Sequence, residues 1–159
     1  MIVGCEDTSV LVIDINNSKI NSVFRHVHES EYLLRPHPYF SIEKITSLVL
    51  TSDDRYLITG SFEGSVGIID LEKKEHFHSY ENSHLGIYLS DISSLSLIGT
   101  ITSTFMSNDN TRIMTASHDG IFQIIHLMKK ELYGTIENVH KGLVKAIFHS
   151  NLNKKTRRS

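Results

Sequence analysis

The chain has 159 residues, of which 40% are hydrophobic and 21% charged, a composition that excludes a disordered chain and allows a sizeable buried core. Its net charge of −2 gives no electrostatic reason to expect nucleic acid or an anionic membrane as a partner. Cys5 is the single cysteine, so no disulfide can form within the chain. We expect a cytoplasmic protein, since the sequence has neither a membrane-length apolar run nor a signal-peptide pattern at its start.

The sequence repeats at an interval of 56 residues. Positions 57–84 align with 113–140 without a gap, and 12 of the 28 pairs are identical. Positions 1–28 fit the same register, and a fixed period of this size is typical of repeat proteins whose units bury their apolar faces against one another. The first members of the identical pairs are Thr59, Ser61, Gly64, Ile68, Ile69, Leu71, Lys73, Lys74, Glu75, Glu81, Asn82 and His84.

Within each unit, short apolar runs alternate with turn residues, which favours β-strands over helices. We predict four antiparallel strands per unit, buried face to face with the next unit, which is the architecture of a β-propeller blade. In chain order, the pattern predicts three strands within 1–28, four at 45–51, 56–62, 65–71 and 76–81, four at 101–107, 112–117, 121–127 and 132–137, and a last one at 144–150.

The turns and histidines of these units resemble those of WD40 repeats over almost the whole chain. Ser117-His118-Asp119-Gly120 matches the family's Ser-x-Asp-Gly turn, and Ser61-Phe62-Glu63-Gly64 is a weaker match. Histidines also occupy the position of the family's Gly-His pair, and isoleucine replaces the tryptophan of its Trp-Asp pair. The histidines are His28, His84 and His140, and the replaced pairs are Ile13-Asp14, Ile69-Asp70 and Ile125-His126.

The resemblance implies an all-β, WD40-like propeller segment with two complete four-stranded blades and a partial blade at each end. Because propellers close with about four to eight blades, three interpretations stay open: a piece of a longer propeller, two chains that together form a six-bladed ring, and an open array. The predicted parts are a partial blade with strands b to d at 1–28, an inserted loop at 29–44, a blade at 45–84, an inserted loop at 85–100, a blade at 101–140, the first strand of a further blade at 141–151, and a basic tail at 152–159.

The resemblance also implies a structural role for the histidines. In the family, each one bonds the aspartate of the following turn, which is held in turn by a strand hydroxyl. By position, His84 would pair with Asp119 and Ser117, and His28 with Glu63 and Ser61. The alternative, a hydrolase triad of Ser117, His84 and Asp119, is disfavoured because a nucleophile has no need to be duplicated at Ser61.

The two inserted loops are the predicted surface for a partner. The first combines aromatic residues with arginine, as interface hot spots do, and the second has apolar residues spaced along one face of a short helix. The alternative is that both loops only cover the blades, since Tyr32-Leu33 recurs as Tyr88-Leu89. The residues predicted to contact a partner are Tyr32, Arg35, Tyr39, Phe40, Tyr88 and Ile92.

The sequence gives no support for metal, cofactor or catalytic chemistry. His76 and His78 have a spacing that would place both on one face of a strand, as do His26 and His28, but no further ligands complete a zinc site. No nucleophile or phosphate-binding motif occurs, and the basic tail could act as a nuclear import signal.

The sequence therefore predicts a non-catalytic scaffold that presents loops on one face to a protein or peptide partner and has no small-molecule substrate. The alternatives are a self-assembling partial propeller that acts as a structural subunit, and a fragment of a larger WD-repeat protein whose function lies elsewhere.

Overall fold

The computed structural model describes residues 1–28, 44–80, 99–118 and 120–137. Within these ranges the chain forms 11 strands in three antiparallel sheets and contains no helix, so the predicted all-β fold is confirmed. The three sheets do not close on one another. The first sheet contains β1 (Ile2–Gly4), β2 (Val10–Asp14) and β3 (Lys19–Phe24); the second contains β4 (Ile45–Leu50), β5 (Tyr56–Ser61), β6 (Val66–Asp70) and β7 (Glu75–Tyr80); the third contains β8 (Ile101–Met106), β9 (Arg112–Ser117), β10 (Phe122–His126) and β11 (Glu131–Ile136).

The sequence period is also a period of backbone geometry. β2, β6 and β10 begin and end 56 residues apart, and so do β3, β7 and β11. A β-bulge recurs at the same place in each sheet, next to Ile13, Ile69 and Ile125. The turn before the last strand of each sheet contains a residue with positive φ, at Ser18, Lys74 and Lys130. The repeats therefore fold alike although most of their residues differ.

Two hydrophobic cores lie between consecutive sheets. Val10 and Val27 pack with Leu57 and Ile69 between the first and second sheets. The second core, between the second and third sheets, contains Ile58, Val66, Ile68, Ile101, Ile113 and Ile125. Since neighbouring residues of a strand face opposite sides, Ile68 and Ile69 serve different cores, and every residue of β5 and β6 is buried.

The inner strands bring consecutive sheets into close contact. β8 packs against β4 and β5, and β4 contacts β1. A Cβ atom added to Gly60 would lie 2.5 Å from Cγ2 of Ile101, and one added to Gly4 would lie 2.7 Å from Cγ2 of Ile45. The hydroxyl of Thr46 also donates to the carbonyl of Ile101 across this contact. Glycine is therefore needed where the sheets approach most closely.

Within the described ranges, no helix is long and apolar enough to cross a membrane.

Candidate functional site

His28 lies in the segment that passes from the first sheet to the second, and its side chain is only 4% exposed. Nε2 of the ring lies 2.7 Å from the hydroxyl of Thr59, on β5. Nδ1 lies 2.7 Å from the hydroxyl of Ser65, immediately before β6. Both ring nitrogens thus bond side chains of the second sheet, and the imidazole fastens the crossing segment to it.

The network continues beyond the two hydroxyls that contact the ring. The hydroxyl of Ser65 lies 2.8 Å from that of Ser61, which also accepts the backbone N–H of Ser65. Thr59 contacts the carbonyl of Gly67 at 3.3 Å. These contacts fit a neutral ring protonated on Nε2, with Thr59 as its acceptor and Ser65 donating to Nδ1.

Burial, together with the nearby His76 imidazole, lowers the pKa of His28 to about 4. The charged form is disfavoured because the buried ring loses its hydration. His28 is therefore neutral at neutral pH, where Nδ1 can accept the bond from Ser65.

The structure brings together some of the residues predicted for the structural network. His28 and Ser61 belong to one network, joined through Ser65. Glu63 lies in the turn between β5 and β6, and its pairing with His28 stays a prediction. Ser117 is fully buried on β9. His84 and Asp119 lie outside the described residues, so their pairing with each other and with Ser117 stays a prediction as well.

Two members of the network were missed by the sequence reasoning. Thr59 had a usable signal, because Thr115 repeats it 56 residues later and both alternate with a buried serine on the same strand. Ser65 had a weaker signal, because Ser9 matches it in the first unit but Ile121 occupies the matching position in the third.

The residues predicted to bind a partner lie outside the described residues. This holds for Tyr32, Arg35, Tyr39 and Phe40 of the first inserted loop and for Tyr88 and Ile92 of the second. Their role stays a prediction, and so do the strand at 144–150 and the basic tail at 152–159.

The expectation that His76 and His78 share one face of a strand is wrong. His76 is paired with Ile69, which faces the first sheet, whereas His78 is paired with Ile68, which faces the third. The bulge inserts Phe77 as an extra residue and so breaks the alternation. Burial and nearby Lys130 lower the pKa of both histidines, and the described residues contain no group of three or more side chains placed to hold a metal ion.

A second feature is the apolar surface on the two end sheets. The outward face of the first sheet is the side turned away from the second sheet, and it consists of Met1, Leu11, Ile13, Ile15, Ile20 and Val23. The outward face of the third sheet is likewise turned away from the second, and it consists of Phe105, Met114, Phe122, Ile124, Tyr133 and Ile136. Each face continues across the strands of its sheet, so each is large enough to accept another folded surface rather than a small molecule.

No family model matches the chain, and a search of curated proteins finds no significant relative.

Proposed function

We propose that the chain is a segment of a WD40-like β-propeller that serves as a non-catalytic scaffold for a protein or peptide partner. The observation that carries the proposal is the position of His28. It precedes the second sheet in the chain and joins the hydrogen-bond network of Thr59, Ser61 and Ser65 on that sheet. This is the part of the unit in which the WD40 resemblance places the histidine network, although the resemblance implies Glu63 as the partner of the ring. The identical placement of bulges and positive-φ turns in successive sheets supports the same interpretation.

The burial of the polar network supports a structural role for its hydroxyls rather than a catalytic one. A serine nucleophile must reach its substrate, yet Ser61 and Ser117 are fully buried. The imidazole of His28 is held between two hydroxyls and is only 4% exposed. We therefore assign this network to holding the units together.

The interaction surface has two components in this proposal. The inserted loops at 29–44 and 85–100 would present Tyr32, Arg35, Tyr39, Phe40, Tyr88 and Ile92 to a partner from one edge of the sheets. The outward faces of the end sheets would continue the stack of sheets, because apolar faces of this size are typical of protein contact surfaces.

The loops can be tested by replacement. Residues 29–43 would be exchanged for a glycine-serine linker of equal length, and residues 85–98 in a second variant. Partners captured by the unaltered chain, then purified and titrated by calorimetry, should bind at least one variant about 100-fold more weakly, as expected for the loss of hot-spot residues. A control variant would carry Lys73→Ala and Lys129→Ala in exposed turns of the second and third sheets. Unchanged affinity of both loop variants would contradict the role of the loops.

The propeller arrangement has its own test. An experimental structure of the full chain should show the three sheets radiating from an axis lined by β4 and β8, with β1 in the second position of its sheet, as β5 and β9 are in theirs. A flat or two-layer packing of the sheets would contradict it.

A further inference from the structure

The second sheet shows how a sheet of this chain is covered on both sides. It turns Leu57 and Ile69 toward the first sheet, and Ile58, Val66 and Ile68 toward the third. In the 56-residue register, Ile58, Val66 and Ile68 match Met114, Phe122 and Ile124, which lie on the outward face of the third sheet. Leu57 and Ile69 match Met1 and Ile13, which lie on the outward face of the first sheet. Each end sheet therefore exposes the face that the second sheet buries against a neighbour.

Exposure of apolar side chains is concentrated on these two faces. Eight large hydrophobic residues are exposed among the described residues, and six of them lie on the outward faces. These six are 44% to 67% exposed: Met1, Ile15, Ile20 and Val23 on the first sheet, and Tyr133 and Ile136 on the third. Burying apolar area stabilises an assembly, so both faces favour association.

The two outward faces differ in a way that makes them complementary. At the interface between the second and third sheets, all the aromatic residues of the core come from the second sheet, where they lie beside aliphatic residues such as Ile58 and Ile68. Tyr56, Phe77 and Tyr80 come from the second sheet, and Ile101, Ile113 and Ile125 from the third. The outward face of the third sheet also contains aromatic residues, Phe105, Phe122 and Tyr133, of which Tyr133 matches Phe77 in the 56-residue register. The outward face of the first sheet is aliphatic, like the face of the third sheet in the existing interface, with Ile13, Ile15 and Ile20.

From this correspondence we infer that the chain binds a second copy of itself head to tail. The outward face of the third sheet in one copy packs on the outward face of the first sheet in the next, as the second sheet packs on the third. Such a contact joins unlike surfaces, so it either closes into a ring of copies or continues as an open chain of them. The inference rests on the proposed function in one respect: it assumes that the repeats assemble by packing one sheet on the next.

The contact also has a defined register. In the existing interface, the Lys130 ammonium donates to the carbonyl of Phe77 at 3.2 Å and lies 4.0 Å from the centre of its ring. Ser18 and Tyr133 are the corresponding residues at the two outward faces in the 56-residue register. Ser18 of one copy should therefore lie beside Tyr133 of the next.

The first experiment measures association of the full chain by sedimentation velocity over a range of concentrations. We expect a dimer or larger species, and Ile13→Glu and Ile136→Glu should each weaken association about 100-fold, because each places an unpaired carboxylate in the contact. Ile13 matches Ile125, which is fully buried at the existing interface. The matched control is Leu132→Glu, on the same strand as Ile136. Leu132 is 52% exposed but is paired with Ile125 and faces the second sheet, so association should be unchanged.

Mixing the two face variants separates unlike-face from like-face packing. An equimolar mixture of Ile13→Glu and Ile136→Glu should associate more strongly than either alone, since it retains one intact pair of faces. If like faces packed together instead, one variant would associate as strongly as the wild-type chain, and mixing the variants would not strengthen association. That result would overturn the inference. A wild-type chain that stays monomeric up to about 100 μM, well above a micromolar Kd, would also overturn it.

Crosslinking tests the register directly. In a Cys5→Ser background, Ser18→Cys and Tyr133→Cys proteins would be mixed and treated with a short bis-maleimide. The linked product should contain one copy of each, and products of like pairs alone would contradict the register. If the chain bound a separate partner through its loops but did not associate with itself, the proposed function would stand and this inference would be wrong. The same would follow if another protein covered the outward faces.

Discussion

Nε2 of His28 lies 2.7 Å from the hydroxyl of Thr59, a residue of the next sheet along the chain. The approach is possible because the crossing segment lies directly on the second sheet. A Cβ atom added to Gly67 would lie 2.8 Å from Cγ1 of Val27, so the absence of a side chain at Gly67 makes room for this segment. One imidazole thus links the end of the first unit to the body of the second.

We predict that His28→Leu lowers the free energy of unfolding by about 2–3 kcal/mol. Leucine fills a similar volume but cannot form hydrogen bonds with the hydroxyls of Thr59 and Ser65, and Thr59 is fully buried. Urea titration followed by circular dichroism measures the effect. His126→Leu is the control, since His126 is only half-buried, and it should change stability by less than about 1 kcal/mol. Equal effects of the two substitutions would contradict the special role of His28.

Stability should fall as the pH is lowered from about 6.5 to about 4. The unfolded chain binds a proton at His28 near its ordinary pKa of 6.5, whereas the folded chain does so only near 4. The unfolded state therefore holds more protons within this window, and protonation favours unfolding by about 3 kcal/mol at its lower end. Above pH 6.5 the ring is neutral in both states and contributes no pH dependence.

The measurement is the difference between the wild-type chain and His28→Leu across this pH range. His76 and His78 also have lowered pKa values and give a pH dependence of the same sign, but they are present in both proteins and cancel in the comparison. The wild-type chain should lose more stability than the variant between pH 6.5 and 4. Parallel stability curves for the two proteins would show that His28 is not the responsible group.

Most of the fold could be predicted from the sequence because its strands are short, apolar and repeated. The run from Val66 to Asp70 is buried on both faces, and such strands have continuous apolar sequences. The bulges could not be predicted, because a bulge depends on pairing with the neighbouring strand rather than on the strand's own pattern. For this reason the pairing of His76 and His78 on one face was wrong.

The candidate site was predicted only in part. His28 was found from its recurrence and from the WD40 resemblance, and Ser61 from its repeat at Ser117. The contact of Ser65 with Nδ1 depends on the path of the turn between β5 and β6, which brings this residue to the ring. The spacing of residues in the sequence does not predict that path.

Gly60→Ala should destabilise the chain by about 1–3 kcal/mol, the usual range for adding a methyl group to a filled site. The new Cβ would lie 2.5 Å from Cγ2 of Ile101 and 2.5 Å from the hydroxyl oxygen of Ser47. Ile101 is fully buried between the sheets, so the methyl group can be accepted only if the second and third sheets move apart. Thermal unfolding followed by circular dichroism measures the loss.

Gly134→Ala is the matched control for this substitution. Gly134 also lies within a strand, on β11, but nothing lies within 4 Å of a Cβ atom added there. Alanine should be neutral or stabilise the chain by up to about 1 kcal/mol, because it restricts the unfolded backbone. If both alanine variants behaved alike, close packing at Gly60 would not be the cause.

Lys74→Gly should raise the free energy of unfolding by up to about 1 kcal/mol, because a side chain in the left-handed region is strained. Lys74 has a φ of 59° in an exposed turn, and the matching positions in the other sheets, Ser18 and Lys130, share this conformation. The control is the adjacent Lys73→Gly, which should lower stability by about 0.5–1 kcal/mol through the greater freedom of the unfolded chain. Lys130→Gly should be less favourable than Lys74→Gly, since it also removes the ammonium that bonds the carbonyl of Phe77. Chemical denaturation of the three variants tests the order, and a loss of stability in Lys74→Gly as large as that in Lys73→Gly would contradict the strain.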